Sequence, residues 1–260
     1  MAHPTPDEMH ELYCLALGRV AGLGPGGCAE RVGPWLCVDA GLGVSKFNIG
    51  VVVEPVTRPR PALREAMDWF AARGINARLD LRGSVDGGVL AASIVEGFAF
   101  WQREPAMVLY PLPERFGMAP PQLQVVEVSD SVTLEQYCSV DREEFGDQEF
   151  QMLMAEKAKE LPGLSMHLGL LDGRPVARAM AITSGQLVGV YNVYVPPSQR
   201  GDGFGKALTV AAIEAGRARG ASAASLESTV LGFPLYESLG FRRIDDYVVV
   251  GTDEPIGSRM

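Results

Sequence analysis

The stretch Gln199-Arg200-Gly201-Asp202-Gly203-Phe204-Gly205-Lys206 follows a β-branched run ending at Val195-Pro196-Pro197 and precedes an alanine-rich helical run that starts near Ala207. Strand, glycine loop, helix is the layout that turns backbone N–H groups and a helix N-terminus into an anion cradle. Gly203 and Gly205 stand directly before the helix, where a missing side chain lets oxygen atoms approach the backbone. Arg200 adds a guanidinium suited to charge-assisted bonds with phosphate. The stretch therefore predicts a site for a diphosphate-bearing ligand.

Several anion-loop patterns compete for these residues. A P-loop needs Ser or Thr after Gly-Lys, but Gly205-Lys206 is followed by Ala207, and Arg200 holds the position of the upstream glycine. A dinucleotide fingerprint needs a third glycine, and Leu208 occupies that place. Gly22-Leu23-Gly24-Pro25-Gly26-Gly27 has the three glycine spacings, yet no strong strand precedes it. It reads as a loop between a helix and a strand.

Working outward, apolar spacing predicts helices over 7–20, 61–73, 89–96, 133–160, 206–219 and 234–239. Strands are predicted over 35–38, 47–53, 77–81, 107–112, 123–128, 165–171, 174–183, 186–195, 224–228 and 247–250. Asp172-Gly173 reads as the turn of a hairpin. Gly220 reads as the stop of the long helix. Gly117-Met118-Ala119-Pro120-Pro121 reads as a linker, giving one domain over 1–118 and a second over 119–260.

The two halves repeat their punctuation. Ala72-Arg73-Gly74, then strand, helix and Glu96-Gly97-Phe98, is matched by Ala218-Arg219-Gly220, strand, helix and Leu239-Gly240-Phe241. We read this as a duplication. Where the second copy has its glycine loop, the first has Thr57-Arg58-Pro59-Arg60-Pro61. Proline offers no N–H donor, so the first copy is not expected to hold a diphosphate.

Composition excludes some classes. The 260 residues carry a net charge of −9, which argues against a nucleic-acid surface. Cys14, Cys28, Cys37 and Cys138 form no Cys-x-x-Cys pair, and His3, His10 and His167 are scattered, so no metal site is expected. Reduced thiols in a cytoplasmic protein fit that usage. The N-terminus lacks a basic segment followed by an apolar one, so no signal peptide is expected. No apolar run approaches the ~20 residues that span a bilayer.

From Val188 to Val250 the chain resembles the Gcn5-related N-acetyltransferase (GNAT) family. The resemblance rests on the strand Val190 to Val195, the loop Gln199 to Gly205, the long helix, and Leu235-Tyr236-Glu237-Ser238-Leu239-Gly240-Phe241. The first half resembles the fold only in outline, as a degenerate copy in a tandem arrangement. The implied fold is α/β, an α+β mixed sheet in each of two GNAT-like domains, with acetyl-CoA held by the C-terminal one. One departure is Thr229, where many relatives carry an Asn that touches the pantetheine region.

The resemblance implies acyl transfer from acetyl-CoA to an amine of a small molecule or peptide. Backbone N–H groups of Val193, Tyr194 and Val195 would face the pantetheine, with an oxyanion contact near Val193. Arg200, Gly201, Asp202, Gly203, Phe204, Gly205 and Lys206 would hold the diphosphate. Tyr236 would protonate the leaving thiolate. Glu227, Glu143 and Tyr191 are candidate bases, and Asn192 could orient the acceptor. No nucleic acid, membrane or metal is implied; a homodimer is compatible. A non-catalytic acyl-CoA-binding protein and a dinucleotide-dependent oxidoreductase are the competing readings.

Overall fold

The computed structural model describes residues 3–21, 26–41, 47–142 and 161–252. Two compact units emerge, one made of Met1–Leu12 and Met107–Arg242, the other of Tyr13–Ala106 and Arg243–Met260. Helix α1 (Pro6–Ala21) and strand β5 (Ala99–Leu109) each contribute residues to both units. The boundary expected at 118/119 falls inside the first unit. It differs because the last strand, β11 (Arg242–Gly251), pairs antiparallel with β4 (Arg78–Arg82), Tyr247 opposite Arg82 and Gly251 opposite Arg78.

The unit carrying the glycine loop is a mixed sheet. Its strands are β6 (Leu123–Glu127), β7 (Leu164–Leu171), β8 (Arg174–Ser184), β9 (Leu187–Tyr194) and β10 (Ala223–Glu227), followed by the end of β5. Neighbours from β6 to β9 are antiparallel, and β9 and β10 are parallel. A parallel pair needs a crossover, and here it is helix α5 (Phe204–Ala218). Residues Asp172 and Gly173 both have positive φ (50° and 77°), as a two-residue hairpin turn requires. The apolar face of α5, with Phe204, Leu208, Ala212 and Ile213, packs on Ala177, Ala179, Val188 and Val190. Helix α4 (Ser131–Ser139) starts with a capping box in which Asp130 accepts from Thr133 N at 2.8 Å. The rest of the predicted 133–160 helix lies outside the described residues from 143 onward.

The other unit orders its strands β1 (Cys28–Val32), β2 (Trp35–Asp39), β3 (Ile49–Val52), β4, β11 and β5. Helix α2 (Pro59–Ala71) crosses between the parallel pair β3 and β4, and α3 (Gly87–Val95) follows β4. Trp35, Leu63, Phe70, Leu79, Val248 and Val250 form its core. Strand β1 and the first half of β5, sequence Ala99 to Ala106, were not anticipated. Their charged, half-exposed residues hide the alternation that a strand reading relies on. The glycine run from 22 to 25 lies outside the described residues.

Candidate functional site

Strand β9 has two unlike edges. Toward β8 it is paired to its end, Val190 opposite Ala181 and Tyr194 opposite Arg178. Toward β10 the ladder runs only from Leu187/Ala223 to Gly189/Ser225. Beyond Gly189 the ladder with β10 ends, although β9 runs on to Tyr194 and β10 to Glu227.

A bulge sits in this same segment. Two residues, Asn192 and Val193, stand between Tyr191 and Tyr194, where β8 has only Ala179 between Met180 and Arg178. Asn192 takes φ of 51°, a left-handed backbone that Asn tolerates better than most residues. The extra residue reverses the in–out alternation. Val188 and Val190 belong to the core under α5, and Val193 and Val195 pack on that same core. A regular strand would turn Val193 the other way. The bulge is therefore what aims the backbone of the strand end.

The chain leaves β9 through the 3-10 turn Pro197–Gln199. Arg200 Nε donates to Val195 O at 2.9 Å, which closes the loop back on the strand. Gly201 and Gly203 have φ of 98° and 80°, a region that side-chain-bearing residues rarely enter. Gly203 is the N-cap of α5, and no side chain caps the helix. The first intrahelical bond runs from Ala207 N to Gly203 O at 3.0 Å. The N–H groups of Phe204, Gly205 and Lys206 thus point out of the helix start. Phe204 is buried and fixes the helix start in the core, while Arg200, Gly201, Asp202, Gly203 and Lys206 are exposed. A Cβ at Gly205 would lie 3.2 Å from Leu235 Cδ1 and 3.6 Å from Val195 Cγ2, so the cradle floor is tight.

Leu235 belongs to helix α6 (Phe233–Ser238), which carries Tyr236. Packing of Leu235 at Gly205 puts α6 beside the helix start. The Tyr236 ring is buried edge-on against Phe241, centroids 5.9 Å apart. Burial pushes its phenol up to about 12, so it holds its proton. Thr229 opens α6: its Oγ1 accepts from Gly232 N at 3.1 Å and its carbonyl from Phe233 N at 3.0 Å. The Thr229 side chain is therefore engaged in the turn that leads into α6. Gly240, with φ of 95°, closes the helix, and Phe241 N returns to Tyr236 O at 3.1 Å.

The structure brings Val193, Tyr194, Val195, Arg200 and Gly201 through Lys206 into one continuous run, with Tyr236 on the adjoining helix. Glu227 ends β10, half-buried, and Tyr191 lies over Gly189, where a Cβ would meet its hydroxyl at 2.4 Å. Glu143 lies outside the described residues. Sequence reading missed a buried ion pair under the bulge. Arg178, opposite Tyr194, pairs with Asp141, and its guanidinium carbon stands 5.2 Å from the Tyr137 ring centroid. The partners lie 37 residues apart, and no local pattern announces them. Pro120, from the predicted linker, also reaches the loop: a Cβ at Gly203 would lie 3.4 Å from its Cγ.

Among the described residues no group of three His, Cys, Asp or Glu side chains could hold a metal ion. Burial pushes the Cys37 and Cys138 thiols up to about 12, far from a reactive thiolate. Among the described residues no helix is long and apolar enough to cross a membrane.

Residues 132–241 match the acetyltransferase (GNAT) family. A glucosamine 6-phosphate N-acetyltransferase of Trypanosoma brucei brucei is 44% identical over 59 residues, 22% of this chain and 40% of that protein's length. In structure the chain is similar to a GCN5-related N-acetyltransferase from Kribbella flavida, with a TM-score of 0.67, 19% identity and 96% of both chains covered. It is also similar to a tandem GNAT protein from the clavulanic acid biosynthesis pathway, with a TM-score of 0.58, 13% identity and 95% of both chains covered. The fold is thus GNAT-like along nearly its whole length, and residues 132–241 carry the match to the acetyltransferase (GNAT) family model.

Proposed function

We propose that the protein is an N-acetyltransferase that moves an acetyl group from acetyl-CoA to an amine of a small molecule or peptide. The observation that carries this reading is the end of the β9–β10 ladder at Gly189/Ser225, beside an uncapped helix start. The residues present fit such a donor substrate. N–H groups of Phe204, Gly205 and Lys206 suit a diphosphate, and the α5 dipole adds about 0.3–1 kcal/mol at an exposed site. The strand end at Val193 and Val195 suits the amides of a pantetheine arm. The thioester supplies an activated acyl carbonyl.

The chain's own groups then divide the work. The N–H near Val193 steadies the carbonyl oxygen as the amine adds to it. Tyr236, protonated at neutral pH, gives a proton to the departing sulfur. Its high pKa makes this transfer depend on the developing thiolate charge. The amine must lose a proton, for which Glu227 or Tyr191 through water is suited.

A small-molecule acceptor has support in the amino-sugar acetyltransferase similar to part of this chain. We assign the activity to the C-terminal half, as far as Arg242, and read the N-terminal half as a degenerate copy whose sheet takes in β11. The antiparallel-then-parallel order β2, β3, β4 with α2 between β3 and β4 supports that reading, since it repeats β8, β9, β10 with α5. In that copy Pro59 and Pro61 stand at the start of α2 and withdraw N–H donors. Four cysteines that form no disulfide fit a cytoplasmic setting.

Acetyl-CoA turnover against amino sugars, polyamines, amino acids, aminoglycosides and peptides tests the proposal. Acceptor-dependent thiol release with an acetylated product supports it. Tight CoA binding with no transfer to any amine would favour a regulatory acyl-CoA-binding protein.

A further inference from the structure

The segment from Leu109 to Leu123 is pinned at both ends of α5. At the helix C-terminus, Arg217 Nη2 donates to Pro113 O at 2.7 Å, and its guanidinium lies 5.8 Å from the Phe116 ring centroid. Leu112 N donates to Ser222 O at 3.1 Å just beyond that end. At the helix N-terminus, Pro120 stands against Gly203, and its carbonyl accepts from Leu123 N at 2.9 Å. A helix of 15 residues is about 22 Å long, and seven residues of chain reach at most about 25 Å. The segment therefore lies along α5 as a strap. It is not a slack linker.

Its apolar residues are unevenly used. Phe116 packs on the core, but Met118 is 100% exposed, two residues from Pro120 and so within about 7 Å of it along the chain. The strap thus sets a proline ring against the glycine cradle and leaves a bare thioether beside it. Both are apolar surfaces that suit the face of a purine. The pantetheine arm would leave the cradle along β9, so a nucleoside must leave on another flank.

We propose that the strap forms the adenosine wall of the cofactor site, with Pro120 and Met118 packing on the purine of CoA. The inference rests on the acetyl-CoA reading given above. It assigns ligand contact to a segment outside the matched 132–241 region.

Calorimetric titration of the full chain with CoA and with 4′-phosphopantetheine tests it. The second probe lacks the adenosine and keeps the arm. Met118→Glu should weaken CoA about threefold to tenfold, the range of a thioether–aromatic contact, and leave phosphopantetheine unchanged. Met118→Leu should retain most of the affinity. Met118 is fully exposed, so these variants keep the fold. Equal CoA affinity in wild type and Met118→Glu, or an equal loss for both ligands, overturns the strap. If the wild type binds neither ligand, the cofactor reading itself fails and the strap falls with it.

Discussion

Val188 and Gly216 meet without room for a side chain: a Cβ at 216 would lie 2.5 Å from Val188 Cβ and 2.6 and 2.8 Å from its two methyls. This contact seats α5 on β9, the strand and helix that together make the glycine cradle. Gly216→Ala gains helix propensity of about 1 kcal/mol at an ordinary site. Here the added methyl meets a branched strand residue at its root, which cannot swing away. Overpacking of this kind costs about 1–3 kcal/mol. Urea denaturation should show a lower midpoint for Gly216→Ala, and an unchanged or higher midpoint would mean that the helix can lift off freely.

Tyr236 should act in the chemical step. Tyr236→Phe keeps the ring against Phe241 and removes only the hydroxyl. Turnover should fall about 100-fold or more, as expected for loss of a general acid, with acetyl-CoA affinity unchanged. The pH profile gives a second readout. A phenol raised by burial to about 12 keeps its proton well past the ordinary value near 10. Loss of activity from its ionisation should therefore appear only as pH approaches 12. Unchanged turnover in Tyr236→Phe would remove it from the mechanism.

Gly203 is the N-cap of α5 at φ of 80°. Gly203→Asp brings a negative charge to the mouth of the cradle, and its Cβ would lie 3.4 Å from Pro120 Cγ. CoA binding measured by calorimetry should be lost, while circular dichroism stays that of the wild type. Retained affinity would show that the diphosphate sits elsewhere.

His167 lies buried on β7, its Nε2 3.2 Å from Ser165 Oγ. Burial, first, holds its pKa below the usual 6.5; nearby Glu127 opposes and Arg219 adds to the lowering. A depressed histidine favours the fold while neutral. Its contribution is whole above about pH 6.5 and is lost as pH falls through the depressed folded value, because the unfolded chain takes the proton first. Thermal melts from pH 8 to 5 should show an acid-side fall in Tm that is shallower in His167→Gln. Identical slopes would mean that other groups carry the acid sensitivity.

Much of the cradle was legible in the residues. Gly201, Gly203 and Gly205 before an alanine-rich helix announce a backbone meant to be approached. Tyr236-Glu237-Ser238-Leu239-Gly240-Phe241 announces a short helix closed by a left-handed glycine. The role of Arg200 was only half legible: its Nε ties the loop to Val195, a contact that depends on how the 3-10 turn folds back. Thr229 read as a departure from the family pattern, and its bond from Gly232 N in the turn before α6 became visible only with the backbone in place.

Local features are written in the residues: the glycine loop, the helix after it and the Asp172-Gly173 turn. All of these follow from backbone preferences within a few residues. Long-range packing alone makes β11 pair with β4, Asn192 bulge so that Val193 joins the core with Val190, and Pro120 lie against Gly203. These depend on which strand edge is free and which face has room. Residues tens to more than a hundred positions apart settle both, and no short-range pattern records them.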